Sequence, residues 1–387
     1  MKKHFIFIFA LLPLALLGQG RHYDEVLRQV ERHPLLLAAQ QHAEADKAEA
    51  RAGLLIPNPE VEGAYFWGDP AEIGIRWDLS VSQSFEMPSV LARRARLREL
   101  ECRAADIEYA ALRQQLLYEA QQACADHLYH LAVSGIRQYR LAVATRLAEL
   151  YARRFAAGDC SILDYNRAQM NLAEVQRAAD EAVMQVRSSQ VMIDYFVGRQ
   201  SYDFPYSDYP EALIDGGADG LDSLSPQLRQ LRNHCDATRQ QLSLSRAQWL
   251  PEMSVGYASE NIVGETFRGV KAGLSLPLWN QGRAVRRDRI AAEAAAQALE
   301  AQRQRVAAER ASLRLQMVAL RSNLDTLKSA FAQHNSLALL DKALEAGEIS
   351  LEQYLLQADY YTDQQLLICQ TAHQLELAYL QYHSITL

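Results

Sequence analysis

The two halves of this chain carry the same signals in the same order, at an offset near 192 residues. Pro34 and Pro59 stand 25 positions apart, as do Pro226 and Pro251. Internal repetition constrains a fold more than composition does, because each copy must form the same supersecondary unit. A duplicated repeat is therefore predicted. Its segments are a first repeat over 21–198, a linker over 199–222 that is rich in proline and glycine, and a second repeat over 223–387.

Each half contains a helical stretch far longer than a globular core needs. The first begins near Pro88, a residue suited to the first turn of a helix, and runs to about Ala156 without another proline. At 1.5 Å per residue it would be about 100 Å long. The matching helix of the second half is predicted from about Arg283 to Ala346. Apolar residues in the first stretch recur at steps of three and four, which indicates helices that pack lengthwise: Leu97, Leu100, Ala104, Ile107 and Ala111.

Both long helices are predicted to end at a glycine. Gly158 has Ser161 three residues after it, and Gly347 has Ser350 at the same distance. Glycine adopts the left-handed conformation that ends many helices. A returning helix is therefore expected after each turn.

Four segments alternate apolar with polar or small residues, which is the period of a β-strand. Their length suits a tilted membrane strand, although a strand of a soluble sandwich alternates similarly. The predicted strands cover about 59–67, 72–84, 252–262 and 267–278. The residues expected to face lipid are Val61, Tyr65, Trp67, Ile75, Trp77, Leu79, Val255, Tyr257 and Leu274. Four strands cannot close a barrel, and lipid does not tolerate open edges, so membrane strands require oligomerisation.

An arginine cluster follows each predicted hairpin. Arg93, Arg94, Arg96 and Arg98 follow the first, and Arg283, Arg286, Arg287 and Arg289 follow the second. Each cluster is interpreted either as a solvated helix face or as a group just beneath the bilayer, near lipid headgroups.

Residues 1–20 have the layout of a secretory signal, with an uncleaved N-terminal anchor as the alternative. Two lysines precede an apolar run from Phe5 to Leu17, and Gly18-Gln19-Gly20 follows. Without this segment, 38 basic residues stand against 47 acidic ones and the formal charge is −9. This balance argues against a nucleic-acid partner. The remaining sequence has no apolar stretch of 18 residues, so no membrane-spanning helix is predicted.

Motifs that carry chemistry are missing from the sequence. It has no G-x-S-x-G, Walker A or H-E-x-x-H segment. His127 and His130 could lie on one helix face as metal ligands, but a packed or solvated pair is favoured. The five widely spaced cysteines are interpreted as small apolar fillers. We therefore expect no enzyme, no catalytic residues, no cofactor and no resident metal.

Several segments together resemble the TolC-like outer-membrane factor family. The resemblance covers nearly the whole chain after the signal. The similar segments are Tyr23-Asp-Glu-Val-Leu with His33-Pro34, Leu54-Leu-Ile-Pro-Asn-Pro-Glu60, Phe155-Ala-Ala-Gly-Asp159, Leu274-Ser-Leu-Pro-Leu-Trp-Asn-Gln-Gly-Arg283 and Ala346-Gly-Glu-Ile-Ser350.

This resemblance implies a mainly α-helical fold with membrane β-strands. Three chains would form one twelve-stranded outer-membrane barrel, and their helices a periplasmic α-helical barrel with a belt near 199–222. It also implies a periplasmic adaptor and an inner-membrane pump as partners. The stretch 347–354 is similar to members that serve heavy-metal cation pumps of the resistance-nodulation-division type.

The resemblance also implies the sites. The turns that meet the adaptor would be Ala157, Gly158 and Asp159, and Ala346, Gly347 and Glu348. In the family, acidic residues beyond the turn line a closed inner mouth. Asp164 is six residues after Gly158, whereas Gln353 stands at the matching place after Gly347, with Glu352 beside it. The alternative for Asp164 is a solvated carboxylate or a local pair with Arg167.

The predicted function is a passive outer-membrane exit duct of a tripartite efflux pump. A type I protein-secretion channel and a periplasmic coiled-coil protein without a pore are the alternatives, with a globular hydrolase as a further rival. The four alternating strands argue against a coiled coil, and the missing polar motifs argue against a hydrolase.

Overall fold

A computed structural model describes residues 23–52, 57–69, 72, 74–210, 225–277, 279 and 281–384. The predicted signal 1–20, the Leu54–Ile56 junction and positions 211–222 of the predicted linker lie outside these residues. The chain divides into two compact units. Unit 1 holds residues up to 32, 119–212 and 330–373, and unit 2 holds 33–118, 213–329 and 374–387.

The described part of the chain is mostly helical, with one sheet, as the sequence predicts. The helices are α1 (Asp24–Val30), α2 (Pro34–Ala52), α3 (Pro88–Ala156), α4 (Ile162–Val197), α5 (Pro226–Ala247), α6 (Gln281–His334), α7 (Leu337–Glu345) and α8 (Leu351–Ser384). The strands are β1 (Glu60–Trp67), β2 (Ile75–Phe85), β3 (Glu252–Ile262) and β4 (Glu265–Ser275). Among the described residues, no helix is both long enough and apolar enough to cross a membrane.

The long helix of the first half is confirmed, but the continuous helix predicted to Ala346 in the second half is wrong. Helix α3 runs unbroken for 69 residues. Helix α6 ends at His334, and α7 begins only at Leu337. At the break, the Asn335 Oδ1 accepts a hydrogen bond from the Leu337 N–H at 3.1 Å. Asparagine and serine side chains compete with the helical hydrogen bonds of nearby backbone groups, and Asn335-Ser336 does so here.

The four strands form an antiparallel sheet in the order β1-β2-β3-β4. Within it, Tyr65 lies opposite Trp77, Val81 opposite Tyr257, and Tyr257 opposite Val270. Residues directly opposite each other in antiparallel strands share a face of the sheet. The register therefore places most apolar positions of the four strands on one face, while Phe66, Ile262 and Phe267 lie on the other.

Each unit has a core of its own. In unit 2, α3 meets α5 through Val90, Leu244 and Ala247, close in sequence to the ends of the strands. The buried Asn233 amide also donates to the Leu100 carbonyl at 2.9 Å, which ties α5 to α3 further along. These contacts attach the sheet to the start of the long helix.

Candidate functional site

The turn after α3 is closed by backbone hydrogen bonds around a left-handed glycine. Gly158 has φ +79°, and its N–H donates to the Phe155 carbonyl at 3.0 Å. The Asp159 N–H reaches back to the Arg154 carbonyl at 2.8 Å. These bonds satisfy carbonyls that the helix end would leave without partners. A Cβ built on Gly158 meets no atom within 4 Å, so only the backbone conformation demands glycine here.

The turn after α7 has the same geometry. Gly347 has φ +73°, and its N–H donates to the Leu344 carbonyl at 3.1 Å. The Glu348 N–H donates to the Ala343 carbonyl at 2.9 Å. A Cβ on Gly347 would also meet open space. The two halves thus build the predicted docking turns by one backbone mechanism.

A serine begins the returning helix in each half. The Ser161 Oγ accepts from the Asp164 N–H at 3.1 Å and donates to the Asp164 carboxylate at 2.7 Å. The Ser350 Oγ accepts from the Gln353 N–H at 3.2 Å, and the Gln353 Oε1 accepts from the Ser350 N–H at 3.1 Å. Asp164 and Gln353 therefore hold the same capping position, three residues into the helix start. Sequence analysis assigned both as gate candidates and missed this capping role, although Ser-x-x-Asp at 161–164 and Ser-x-x-Gln at 350–353 match the pattern of a capping box.

The third gate candidate, Glu352, meets a residue of the other half. The Arg167 Nη1 lies 2.8 Å from the Glu352 Oε2. The sequence allowed Arg167 as a local partner of Asp164, whereas the ion pair that the structure records joins α4 to α8. The two side chains are 48% and 71% exposed, so the pair contributes little stability. Its consequence is that the charge of Glu352 is balanced within one protomer.

One apolar cluster of unit 1 supports both turns. It is built from α3, α4, α7 and α8, and the turn residues Cys160 and Ile349 pack against it. Its buried members are Val143, Leu147, Tyr151, Ala168, Leu344, Leu351, Tyr354, Leu355 and Ala358. Because side chains from both halves fill it, the two turns are held beside each other.

Two polar links in unit 1 join residues of different helices. The Tyr354 hydroxyl donates to Asp341 at 2.6 Å, and burial together with that bond raises the pKa of Tyr354 above its ordinary value. The Arg140 Nη2 donates to Asp359 at 2.9 Å, with the arginine only 4% exposed. Sequence analysis missed both pairs, which are separated by 13 and 219 positions, because each depends on how two helices pack.

The described part of the predicted linker packs onto unit 1. The Asp194 carboxylate accepts from the N–H groups of Ser201 and Tyr202 at 2.7 and 2.9 Å. Partial burial opposes the ionisation of Asp194, but these bonds and one from Gln190 lower the pKa of Asp194. Further along, the Tyr206 hydroxyl accepts from the Glu25 N–H at 3.2 Å. Residues 199–210 are therefore held against the helices.

The histidine pair considered as metal ligands has other contacts. The His127 ring nitrogen Nδ1 lies 2.8 Å from the Ser189 Oγ, and the ring packs edge-on against Phe204. Burial lowers the pKa of His127. Over the part of the chain that the structure describes, no group of three His, Cys, Asp or Glu residues could hold a metal ion.

All nine residues predicted to face lipid lie on one face of the sheet, by the register above. The face is solvent-exposed in a single chain, with Trp67 at 77% and Val61 at 66%. On the opposite face, Arg76 pairs with Asp78 at 3.0 Å and with Glu260 at 2.8 Å. The sheet thus separates an apolar surface from a charged one.

Solved structures with this architecture were found, whereas no family model and no curated protein matches the chain. A membrane protein from Pseudomonas aeruginosa is 16% identical, with a TM-score of 0.80 over 94% of this chain and 89% of that one. The outer membrane protein VceC from Vibrio cholerae is 14% identical, with a TM-score of 0.78 over 94% and 95%. The CmeC outer membrane channel of Campylobacter jejuni is 11% identical, with a TM-score of 0.76 over 94% and 85%. The chain therefore has the fold of these three proteins, the fold that its resemblance to the TolC-like family predicts.

Proposed function

We propose that this chain is one protomer of an outer-membrane exit duct of an efflux pump, with three copies closing a twelve-stranded barrel. The sheet is the observation that carries the proposal. One of its faces is mainly apolar and exposed along all four strands, and the other carries the charged residues Arg76, Asp78 and Glu260. Among the described strands, β1 and β4 each have a single neighbour, so each presents an unpaired edge.

Both features are costly for an isolated chain. An exposed apolar face of this extent normally marks an interaction with protein or lipid. Unpaired strand edges template further pairing in water, and in lipid each unsatisfied backbone group costs several kcal/mol. Pairing β4 of one copy with β1 of the next removes the edges, and bilayer insertion covers the face. Lipid would then contact the nine apolar residues, while Arg76 and Asp78 would face the lumen.

The paired turns at 157–159 and 346–348 are proposed as the adaptor-docking surface. Their glycines have no atom near the place of a Cβ, so the surface around each is open. Cargo would pass from an inner-membrane pump to the duct through a periplasmic adaptor. The cargo is proposed to be small molecules or metal cations. A pump of the resistance-nodulation-division type is proposed from the similarity of stretch 347–354 alone.

The gate is proposed to lie just beyond these turns. Three-fold symmetry would gather three copies of Asp164 and Glu352 around one axis, with Gln353 in the matching cap position. Rings of carboxylates attract cations in channels. The duct would therefore be narrow and cation-attracting at its periplasmic end when no pump is docked.

The proposal is tested on the full chain purified from outer membranes. We expect an oligomer that migrates more slowly on a gel before heating than after it, and discrete conductance steps in a planar bilayer. A cysteine at Ala157 or Glu348 should crosslink to a co-expressed adaptor, while one at exposed Trp67 should not. A monomer without conductance would refute the duct, and an efflux-competent strain without crosslinks would refute docking at the turns.

A further inference from the structure

The two arginine clusters below the sheet differ in their contacts. Arg93 and Arg283 each lie eight residues after the end of a strand, at Phe85 and Ser275 respectively. The clusters therefore start at equivalent places in the two repeats. The sequence alone gave each the same two interpretations, a solvated helix face or a group near lipid headgroups.

The first cluster is mostly neutralised by its own chain. Arg94 pairs with Glu86, Arg96 with Glu99, and Arg98 with Glu101 at 2.6 Å. Arg93 keeps its charge, but its guanidinium donates to the Ser243 hydroxyl of α5.

The second cluster is only half neutralised. Arg287 pairs with Asp288 at 2.6 Å, and Arg289 with Glu293 at 3.5 Å. Arg283 and Arg286 are exposed, and within the described part of the chain they form no ion pair or hydrogen bond. Both lie in the first two turns of α6, which begins at Gln281 and has no acidic residue in its first turn. The positive end of a helix disfavours cations and favours anions, so an anion bound from outside the chain would be stabilised beside these two arginines.

Tryptophans flank this half of the sheet and not the other. Trp249 stands three residues before β3, and Trp279 four residues after β4, with exposures of 53% and 79%. Because Glu252 pairs with Ser275, both rings lie at the same end of the hairpin. The segments flanking β1 and β2 contain no tryptophan. Exposed tryptophan beside an apolar strand face is typical of the bilayer interface, where the ring sits at headgroup level.

From these observations we infer that Arg283 and Arg286, which follow Trp279 by four and seven positions in the sequence, form a binding site for the phosphate of an anionic phospholipid. The guanidinium groups would bind phosphate oxygens, Trp279 would lie at the headgroup boundary, and the acyl chains would cover the adjacent apolar face. Only the second repeat provides such a site, so a trimer would carry three. The inference rests on the proposed membrane location of the sheet.

The test is lipid binding to the purified oligomer in dodecyl maltoside, followed by native mass spectrometry. Dioleoylphosphatidylglycerol is the probe. Dioleoylphosphatidylcholine, inorganic phosphate and glycerol 3-phosphate are the comparison ligands. The double variant R283Q/R286Q is matched with R96Q/R98Q, which removes two charges from the neutralised cluster.

Wild type should retain phosphatidylglycerol in preference to phosphatidylcholine, and R283Q/R286Q should bind it roughly tenfold more weakly. R96Q/R98Q should bind like wild type. The inference is overturned if both double variants lose lipid equally, if R283Q/R286Q loses none, or if inorganic phosphate binds as well as the lipid. Conductance measurements distinguish a failure of the lipid-site inference from a failure of the proposed duct function. Variants that conduct and keep their lipid refute only the site, whereas a wild type that neither oligomerises nor conducts refutes the duct.

Discussion

The first and second repeats form the same turn, after α3 and after α7 respectively, but they place charge differently around it. Gly158 and Gly347 adopt nearly the same φ, and a serine caps each returning helix. The residue that completes the cap is Asp164 in one repeat and Gln353 in the other. Either side chain can serve because the cap needs only a hydrogen-bonding group three residues into the helix. The backbone geometry is thus preserved while the charge at that position is free to change.

The second repeat has its acid one residue earlier, at Glu352. One residue along an α-helix turns a side chain by about 100°, so Glu352 and Asp164 do not lie at equivalent angles on their helices. Glu352 meets Arg167 of the first repeat, whereas Asp164 bonds to Ser161. The comparison teaches that a repeated turn does not imply a repeated electrostatic site.

The largest loss of folding stability is expected for substitutions on the apolar face of the sheet, where the two repeats should respond alike. Leu79 is near the middle of β2 and Val270 near the middle of β4, on the same face. Leu79→Arg and Val270→Arg should each destabilise the folded state by about 2–4 kcal/mol, because arginine is costly near the bilayer midplane. Denaturant unfolding in lipid vesicles measures the change, and the yield of heat-sensitive oligomer follows assembly.

Ser80→Arg is the matched control for Leu79→Arg, since Ser80 is the next residue and lies on the charged face. It should assemble normally. Equal losses at Leu79 and Ser80 would contradict the assignment of faces. A severe loss at Leu79 with none at Val270 would mean that only the first hairpin contacts lipid.

A smaller effect is expected at the glycines of the two turns. Gly158→Ala and Gly347→Ala should each destabilise the folded state by about 1 kcal/mol, because alanine is disfavoured in the left-handed conformation. Steric clash adds nothing, as a Cβ meets no atom within 4 Å at either position. Thermal unfolding of the purified oligomer measures both changes in stability.

Bulky residues at either turn should also abolish efflux while the oligomer remains in the membrane.

Gly135, which is exposed within α3, is the control of opposite sign. Its Cβ position is also open, and its φ is not positive, so Gly135→Ala should stabilise the protein by roughly 0.5–1 kcal/mol. A stabilising effect at Gly158 or Gly347 would show that the left-handed turn is not required there.

Local patterns in the sequence predicted most of the fold. The strands could be predicted because apolar and polar residues alternate with a period of two in each segment, and α3 because its sequence contains no proline after Pro88. The break at Asn335-Ser336 was missed because both residues also occur within helices, and only the side-chain bond to Leu337 distinguishes the two cases. The pairs Arg140–Asp359 and Arg167–Glu352 depend on how distant helices pack, which no spacing in the sequence encodes.

Substitutions of the acids near the turns should have the smallest effect on stability, and they test the charge difference between the two repeats most directly. The Arg167–Glu352 pair is exposed, so Glu352→Gln should change stability by less than about 1 kcal/mol. Asp164→Asn should be equally mild, because asparagine can still accept hydrogen bonds. Charge at the closed mouth would nevertheless change, and divalent cations added on the periplasmic side should block conductance less in either variant. The relief of divalent block should be larger for Asp164→Asn than for Glu352→Gln, since Arg167 already balances Glu352, and largest for the double variant.

Glu181→Gln is the control for these variants. It removes an exposed acid paired with Arg177, about 25 Å along α4 from Asp164, and should leave the divalent block unchanged. Single-channel recording across a calcium titration distinguishes the cases. If the double variant is blocked as strongly as wild type, neither carboxylate forms the gate, and the charge difference between the repeats has no role in gating.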